Sequence, residues 1–95
     1  MYCNVLQFMS KRIWDDWNCE HIKKHEVTVD EVEEVFTNKT VVTDSYLGRK
    51  MILRVSAKGR LLAVILSYAL QSEGYVVSAR DMSKQERKIY YEKNS

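Results

Sequence analysis

Arginine, lysine, histidine and tyrosine are the side chains whose types and positions in this sequence could converge on chemistry. Arg80 ends the apolar run Val76-Val77-Ser78-Ala79, and a helical pattern begins at Ser83, carrying Lys84, Arg87 and Tyr91. Ser83 and Glu86 have capping-box spacing, in which side chain and backbone satisfy each other's orphan N–H groups. A strand end feeding a helix start is a place from which side chains can be aimed at a phosphate. Cutting RNA without a metal needs such groups: a base for the 2′-OH, cations around the pentavalent phosphorane, and a proton or charge partner for the 5′-oxygen. Aromatic side chains can hold the unstacked flanking bases. Spacing alone is met at least as well by a solvated basic helix that carries Lys84, Arg87 and Lys88.

Other chemistries find less support. His21 and His25 are four apart on a helical segment, which is metal-ligand spacing, yet the residue after the first histidine is Ile22 and no third ligand is evident. There is no nucleophile elbow, no phosphate-cradling glycine loop and no carboxylate pair in an apolar setting. Conventional hydrolase, kinase and dehydrogenase readings therefore have no support, and neither a metal nor a cofactor is expected.

The elements that must position these residues follow from periodicity and caps. Residues 1–11 read as an appendage or a frayed strand, with Met9 resembling an alternative start, and residues 12–95 as one domain. Arg12-Ile13-Trp14 is a short strand candidate, and either Asp15 or Asp16 can cap a first helix running to about His25. Trp17, His21 and Lys24 share one stripe of that helix, and Ile22 is its only aliphatic anchor. Thr28 and Glu31 form a second capping box and open a helix from Val29 to about Thr37, with Val29, Val32, Val35 and Phe36 as its apolar stripe. From Thr40 the period changes to two. Val41–Tyr46 reads as a polar edge strand, and Leu47-Gly48-Arg49 as a turn. Met51, Leu53 and Val55 mark one apolar face of the next strand. Ala57-Lys58-Gly59-Arg60 turns the chain into Leu61–Leu66, apolar throughout as a strand covered on both faces would be. Gln71–Gly74 is the last turn and Tyr75–Ala79 the last strand, so all three glycines are expected in turns. The fold class is α+β: two N-terminal helices on an antiparallel sheet of four strands, or five if the first one pairs, then a C-terminal helix.

Ninety-five residues suffice for a single core. Net charge is only +2, but its distribution is uneven. Residues 1–46 hold nine acidic and five basic side chains, whereas residues 47–95 hold four acidic and ten basic. Arg49, Lys50, Arg54, Lys58 and Arg60 lie in a stretch without an acid, which suits a polyanion or an acidic protein partner as well as a plain solvated surface. Cys3 and Cys19 could pair once, but two unpaired thiols of a cytosolic protein are the expectation. No apolar run approaches the ~20 residues of a membrane span, and no signal pattern opens the chain. A cytoplasmic protein is expected.

Three blocks carry a family resemblance. They are Ile13-Trp14-Asp15-Asp16 through Lys24-His25-Glu26-Val27, then Gly59-Arg60-Leu61-Leu62-Ala63-Val64, then Ser78-Ala79-Arg80 through Glu86-Arg87 to Tyr90. In order and joint spacing they resemble the BrnT family, toxins of bacterial type II toxin–antitoxin systems with a RelE-like fold. The resemblance implies an endoribonuclease that blocks translation, acting on RNA free or on the ribosome, and silenced by a cognate antitoxin, commonly of the ribbon-helix-helix type. Carried over by position, Arg80 and Arg60 would face the scissile phosphate, with His25 or Lys24 transferring the proton. Trp14, Arg87 and Tyr90 match positions expected to hold substrate, and Lys84 and Arg54 extend that basic set. His21 stands where many relatives have Asn, so no catalytic role is carried over to it. Glu26 replaces the glycine usual after Lys-His, where a left-handed helix end favours Gly by ~1 kcal/mol. Arg49 and Lys50 stand where an acidic residue is often found beside the first hairpin turn. The alternative expectation is a non-catalytic binding module, or a decayed toxin, whose basic surface docks an acidic partner or antitoxin.

Overall fold

The computed structural model describes residues 11–36, 40–70 and 73–94. Residues 1–10 of the expected appendage 1–11, together with Thr37, Gln71 and Ser72, lie outside them, and Lys11, its last residue, is in a strand. Strand β1 (Lys11–Ile13) leads through Asp15 into helix α1 (Asp16–Lys23), and a turn leads to helix α2 (Val29–Val35). Strand β2 (Val41–Asp44), a 3-10 turn (Tyr46–Gly48) and strands β3 (Lys50–Val55), β4 (Leu61–Leu70) and β5 (Glu73–Asp81) follow, and helix α3 (Lys84–Asn94) closes the described chain. The protein is α+β, and none of its described helices is long and apolar enough to cross a membrane.

The caps behave as their spacing requires. Asp15 is the residue that caps α1: its carboxylate accepts from the Asn18 N–H at 2.9 Å, and the Asn18 side chain accepts from the Asp15 N–H. Thr28 with Glu31 and Ser83 with Glu86 form the two expected capping boxes. Helix α1 ends at Lys23, short of the expected His25, because the chain closes there in a Schellman motif. The Val27 N–H reaches the Ile22 carbonyl and the Glu26 N–H reaches that of Lys23, with Ile22 and Val27 packed in the same core. Glu26 supplies the left-handed residue, at φ 59°.

The strands form one five-stranded sheet in the order β1-β5-β4-β3-β2. It is mixed, which corrects the expectation of an antiparallel sheet: β2 to β5 pair antiparallel, while β1 lies parallel to β5 with Ile13 opposite Tyr75. Hairpin turns dictate antiparallel pairing only for strands that they join. β1 reaches β5 after the whole intervening chain, so no turn sets its direction. The first strand also starts and stops one residue earlier than expected, leaving Trp14 beyond its end. β4 runs to Leu70, well past Leu66, and Gly74 sits inside β5 opposite Arg12 and Tyr68 instead of in the turn.

Both faces of the sheet are covered. On one, Ile22, Val27, Val32 and Val35 of the α1–α2 layer pack on Ile52, Leu62, Val64, Leu66, Val76 and Ala79. On the other, Met82 and Tyr90 pack on Met51, Leu53, Ala63 and Ile65. Leu62 to Leu66 are all buried, so β4 is the two-sided central strand that its unbroken apolar run implies. Ile65 pairs with Ser78 but Leu66 pairs with Val76, which leaves Val77 as an extra residue. This bulge resets the alternation of β5, so Arg80 points to the α3 face and Asp81 to the α1–α2 face.

The left-handed Glu26 yields a stability test. Glu26→Gly should raise the free energy of unfolding by about 1 kcal/mol, because an L side chain is disfavoured at this φ and glycine is not. The exposed Coulomb attraction of Glu26 to Arg60 offsets little of that gain. Urea unfolding followed by circular dichroism measures it, and Glu26→Ala should show no gain.

Candidate functional site

Arg60, in the turn before β4, holds one end of the molecule together. Its Nε donates to Asp81 Oδ1 at 2.6 Å, and its Nη2 donates to the His25 carbonyl at 2.8 Å. Its Nη1 donates to the Glu26 carbonyl at 2.5 Å and lies 3.6 Å from the Glu31 carboxylate. One guanidinium thus joins the α1–α2 turn, the first turn of α2 and the end of β5. The hydrogen bond from Arg60 holds the Asp81 carboxyl below its ordinary range, and the charges of Arg87 and His25 act in the same direction. Asp81 is therefore an exposed, ionised carboxylate paired with Arg60 and within reach of the charges of Arg87 and His25. His25, Lys24 and Arg87 are solvent-exposed. Arg54 pairs across β3–β4 with Leu62, and Leu62 pairs with Asp81, so Arg54 belongs to the same sheet face as this group.

Arg80 is not part of it. Its cross-strand partner is Ala63, in the core under α3, and its guanidinium grips Glu86 of α3 through two bonds of 2.7 and 2.9 Å. That fork keeps the Glu86 carboxyl depressed and fixes the first turn of α3, because Glu86 also receives the Ser83 N–H. Arg60 and Arg80 thus bind carboxylates on opposite sides of the sheet, and the described geometry does not direct them to a common phosphate. Trp14 is half-buried, with its indole N–H committed to Glu33 at 2.8 Å. Burial would raise the Glu33 pKa, but the hydrogen bonds from Arg12 and Trp14 outweigh it and leave the carboxylate depressed. The guanidinium of Arg12 also lies 4.6 Å from the Phe36 ring centroid, so Arg12, Trp14, Glu33 and Phe36 clamp α2 to β1. Tyr90 is buried at 4% exposure in the core under α3, out of reach of a base. Lys84 is exposed one turn before Arg87.

A second feature escaped the sequence reading. Trp17 and His21 stack with ring centroids 4.9 Å apart and planes 7° from parallel. His21 meets His25 edge-on at 5.8 Å, and on the other side Tyr75 of β5 tilts against Trp17 at 6.4 Å. The Tyr75 hydroxyl donates to the Asp15 carboxylate at 2.9 Å, which fixes its ring. Four rings, two from α1 and one each from the turn after it and from β5, therefore run along α1 to the Arg60–Asp81 pair. The i, i+4, i+8 spacing of Trp17, His21 and His25 was a legible signal, but Tyr75 joins only through the β1–β5 pairing. Among the described residues no group of three or more His, Cys, Asp or Glu side chains could hold a metal ion, and Cys19 is a free thiol.

Compared with protein-family models and with curated proteins, the chain matches none.

The Arg80–Glu86 fork carries a pH signature. A carboxyl depressed in the folded state makes unfolding bind protons, so its contribution is full above the unfolded value near 4.5 and is lost as pH falls through the folded value. Between about pH 5 and pH 3, a window that starts just above the unfolded value and extends further below it because the folded value is lower, wild-type stability should fall more steeply than that of Glu86→Gln. Urea midpoints at half-unit pH steps give the two slopes, and equal slopes would remove the fork from the stability balance.

Proposed function

We propose that this chain is a BrnT-like toxin of a bacterial type II toxin–antitoxin system with a RelE-like fold. In this reading it is a cytoplasmic, metal-independent endoribonuclease that cleaves RNA, stops translation, and is silenced by a cognate antitoxin, of the ribbon-helix-helix type by resemblance. The three sequence blocks support the family, and the α+β order with helices on both faces of the sheet is compatible with it. The observation that carries the activity is that Arg60 joins the backbone of the exposed His25 to the Asp81 carboxylate, which also feels the charges of His25 and Arg87, with exposed Lys24 next to His25 in the chain.

The chemistry follows from that set. His25 takes the proton of the 2′-OH, and the freed oxygen attacks phosphorus in line with the 5′-oxygen. The bond to the 5′-oxygen breaks, leaving a 2′,3′-cyclic phosphate, and the Lys24 ammonium protonates the departing oxygen. Arg87 neutralises charge on the phosphorane. Asp81 favours the imidazolium that forms when His25 accepts the proton. Arg60 acts as a positioning residue, since it holds the backbone of His25, and Arg80 acts likewise by fixing the start of the helix that carries Arg87. Trp14 and Tyr90 serve packing in this scheme.

A non-catalytic docking module remains the second reading, favoured by the carboxylate partners of Arg60 and Arg80 and by the exposed side chains of Val42, Tyr46 and Leu47 at the β2 edge. Expression of wild type, His25→Ala and Arg80→Ala, with growth and RNA integrity as readouts, separates the two. Wild type should arrest growth and fragment RNA. His25→Ala should keep its circular dichroism and melting temperature while cleaving roughly 10²–10⁴-fold more slowly, the usual worth of a general acid–base group. Arg80→Ala should lose activity together with thermal stability. Intact RNA in cells expressing well-folded wild type sinks the enzyme reading and leaves the docking module.

A further inference from the structure

We propose that Tyr75, Trp17 and His21 form a stacking platform for the unpaired bases of single-stranded RNA, leading the strand to His25. This inference rests on the reading of RNA as substrate and names the form in which RNA is taken.

The starting point is an anomaly of burial. Trp17 is 56% exposed on a helix whose only buried side chains are Asn18 and Ile22. A large indole left in water gains nothing for the fold, yet its plane is well defined by the parallel imidazole of His21 and by the tilted ring of Tyr75. Tyr75 is in turn anchored by Asp15, whose carboxylate also caps α1, so the row is tied to the helix start instead of swinging freely. Burial and the hydrogen bond to Asp15 both push the Tyr75 hydroxyl to a higher pKa, which keeps it a neutral donor. Pre-ordered exposed rings are what a base needs in order to stack without a large ordering cost.

Charge sets the direction. Asp15 and Asp16 stand at the start of α1, and Lys23 and Lys24 at its end, and the charge of Arg87 acts on Asp81, the carboxylate paired with the Arg60 that holds that end. A phosphate chain is repelled from the first end and attracted to the second. Bases therefore lie along the rings while the backbone gathers charge contacts toward Lys24, His25 and Arg87. The rings are flanked by Asp16, Glu20 and Lys23 instead of aliphatic side chains, which disfavours an apolar protein surface as the occupant. Paired bases already stack within a duplex and cannot lie on the rings, so double-stranded RNA is excluded. Stacking reads π-faces and not edges, so little sequence preference is expected from this segment.

The test uses the full chain and a short 2′-O-methyl oligoribonucleotide, which lacks the attacking hydroxyl and cannot be cleaved. Binding is followed by fluorescence anisotropy and by quenching of tryptophan emission. Wild type should bind the single strand with quenching, and a pre-annealed duplex of the same sequence should not compete. Trp17→Ala should bind on the order of 5–150-fold more weakly and lose the quenching, the loss expected for one stacked base. Trp17→Tyr should recover most of the affinity. Unchanged affinity in Trp17→Ala, as for a protein-docking surface, or equal competition by the duplex, overturns the platform while leaving the nuclease reading intact. If wild type binds no oligoribonucleotide, the RNA reading falls and the platform with it.

Discussion

The guanidinium of Arg60 is the point at which separate parts of the chain become one surface. Its hydrogen bonds and ion pairs reach the end of α1, the beginning of α2 and the end of β5. The planar fork suits this task, because five N–H donors in fixed directions can serve carbonyls and carboxylates at once. Without it the α1–α2 turn would present two orphan carbonyls, and Asp81 would lose its hydrogen-bonded cation. The same group therefore fixes where His25 stands relative to Asp81, which links a folding interaction directly to the proposed chemistry.

A parallel arrangement operates on the opposite face. Arg80 and Glu86 lock α3 at its capping box, and the Val77 bulge determines that Arg80 turns to this side and Asp81 to the other. Two neighbouring residues of β5 thereby secure the covering layers of the two faces. Both pairs are partly exposed, so their role is better read as registration of the helices than as a large store of stability. The core of β4 between them, buried from Leu62 to Leu66, supplies the hydrophobic stabilisation that makes the registration possible.

The proposed activity and the proposed platform share α1 and depend on different properties of it. Activity depends on how the helix ends, where a Schellman motif with a strained Glu26 leaves Lys24 and His25 exposed and the His25 backbone tied through Arg60 to Asp81. The platform depends on how it begins, where Asp15 caps the backbone and anchors Tyr75. An eight-residue helix with a single aliphatic anchor has little propensity to persist alone, and its two ends are held by tertiary contacts.

Local rules were legible in the residues themselves. Thr28 with Glu31 and Ser83 with Glu86 announced their helix starts, since a cap is a contact over three residues, while the pair Asp15-Asp16 announced a start whose capping residue, Asp15, the structure decided. The alternation of Met51, Leu53 and Val55 and the unbroken run Leu61–Leu66 announced their strands. The left-handed position of Glu26, at φ 59°, was indicated only by the glycine that the resembled family has there. What depended on the tertiary structure was everything that joins distant segments: the parallel course of β1 beside β5, the burial of Tyr90, the commitment of Trp14 to Glu33, and the separation of Arg60 from Arg80 by the sheet. A basic side chain in a sequence carries no mark of whether it will meet a phosphate or a carboxylate of its own chain. Periodicity records which face a residue shares with its near neighbours. Which distant carboxylate lies opposite that face is settled only when the sheet has formed and its register, bulge included, is set.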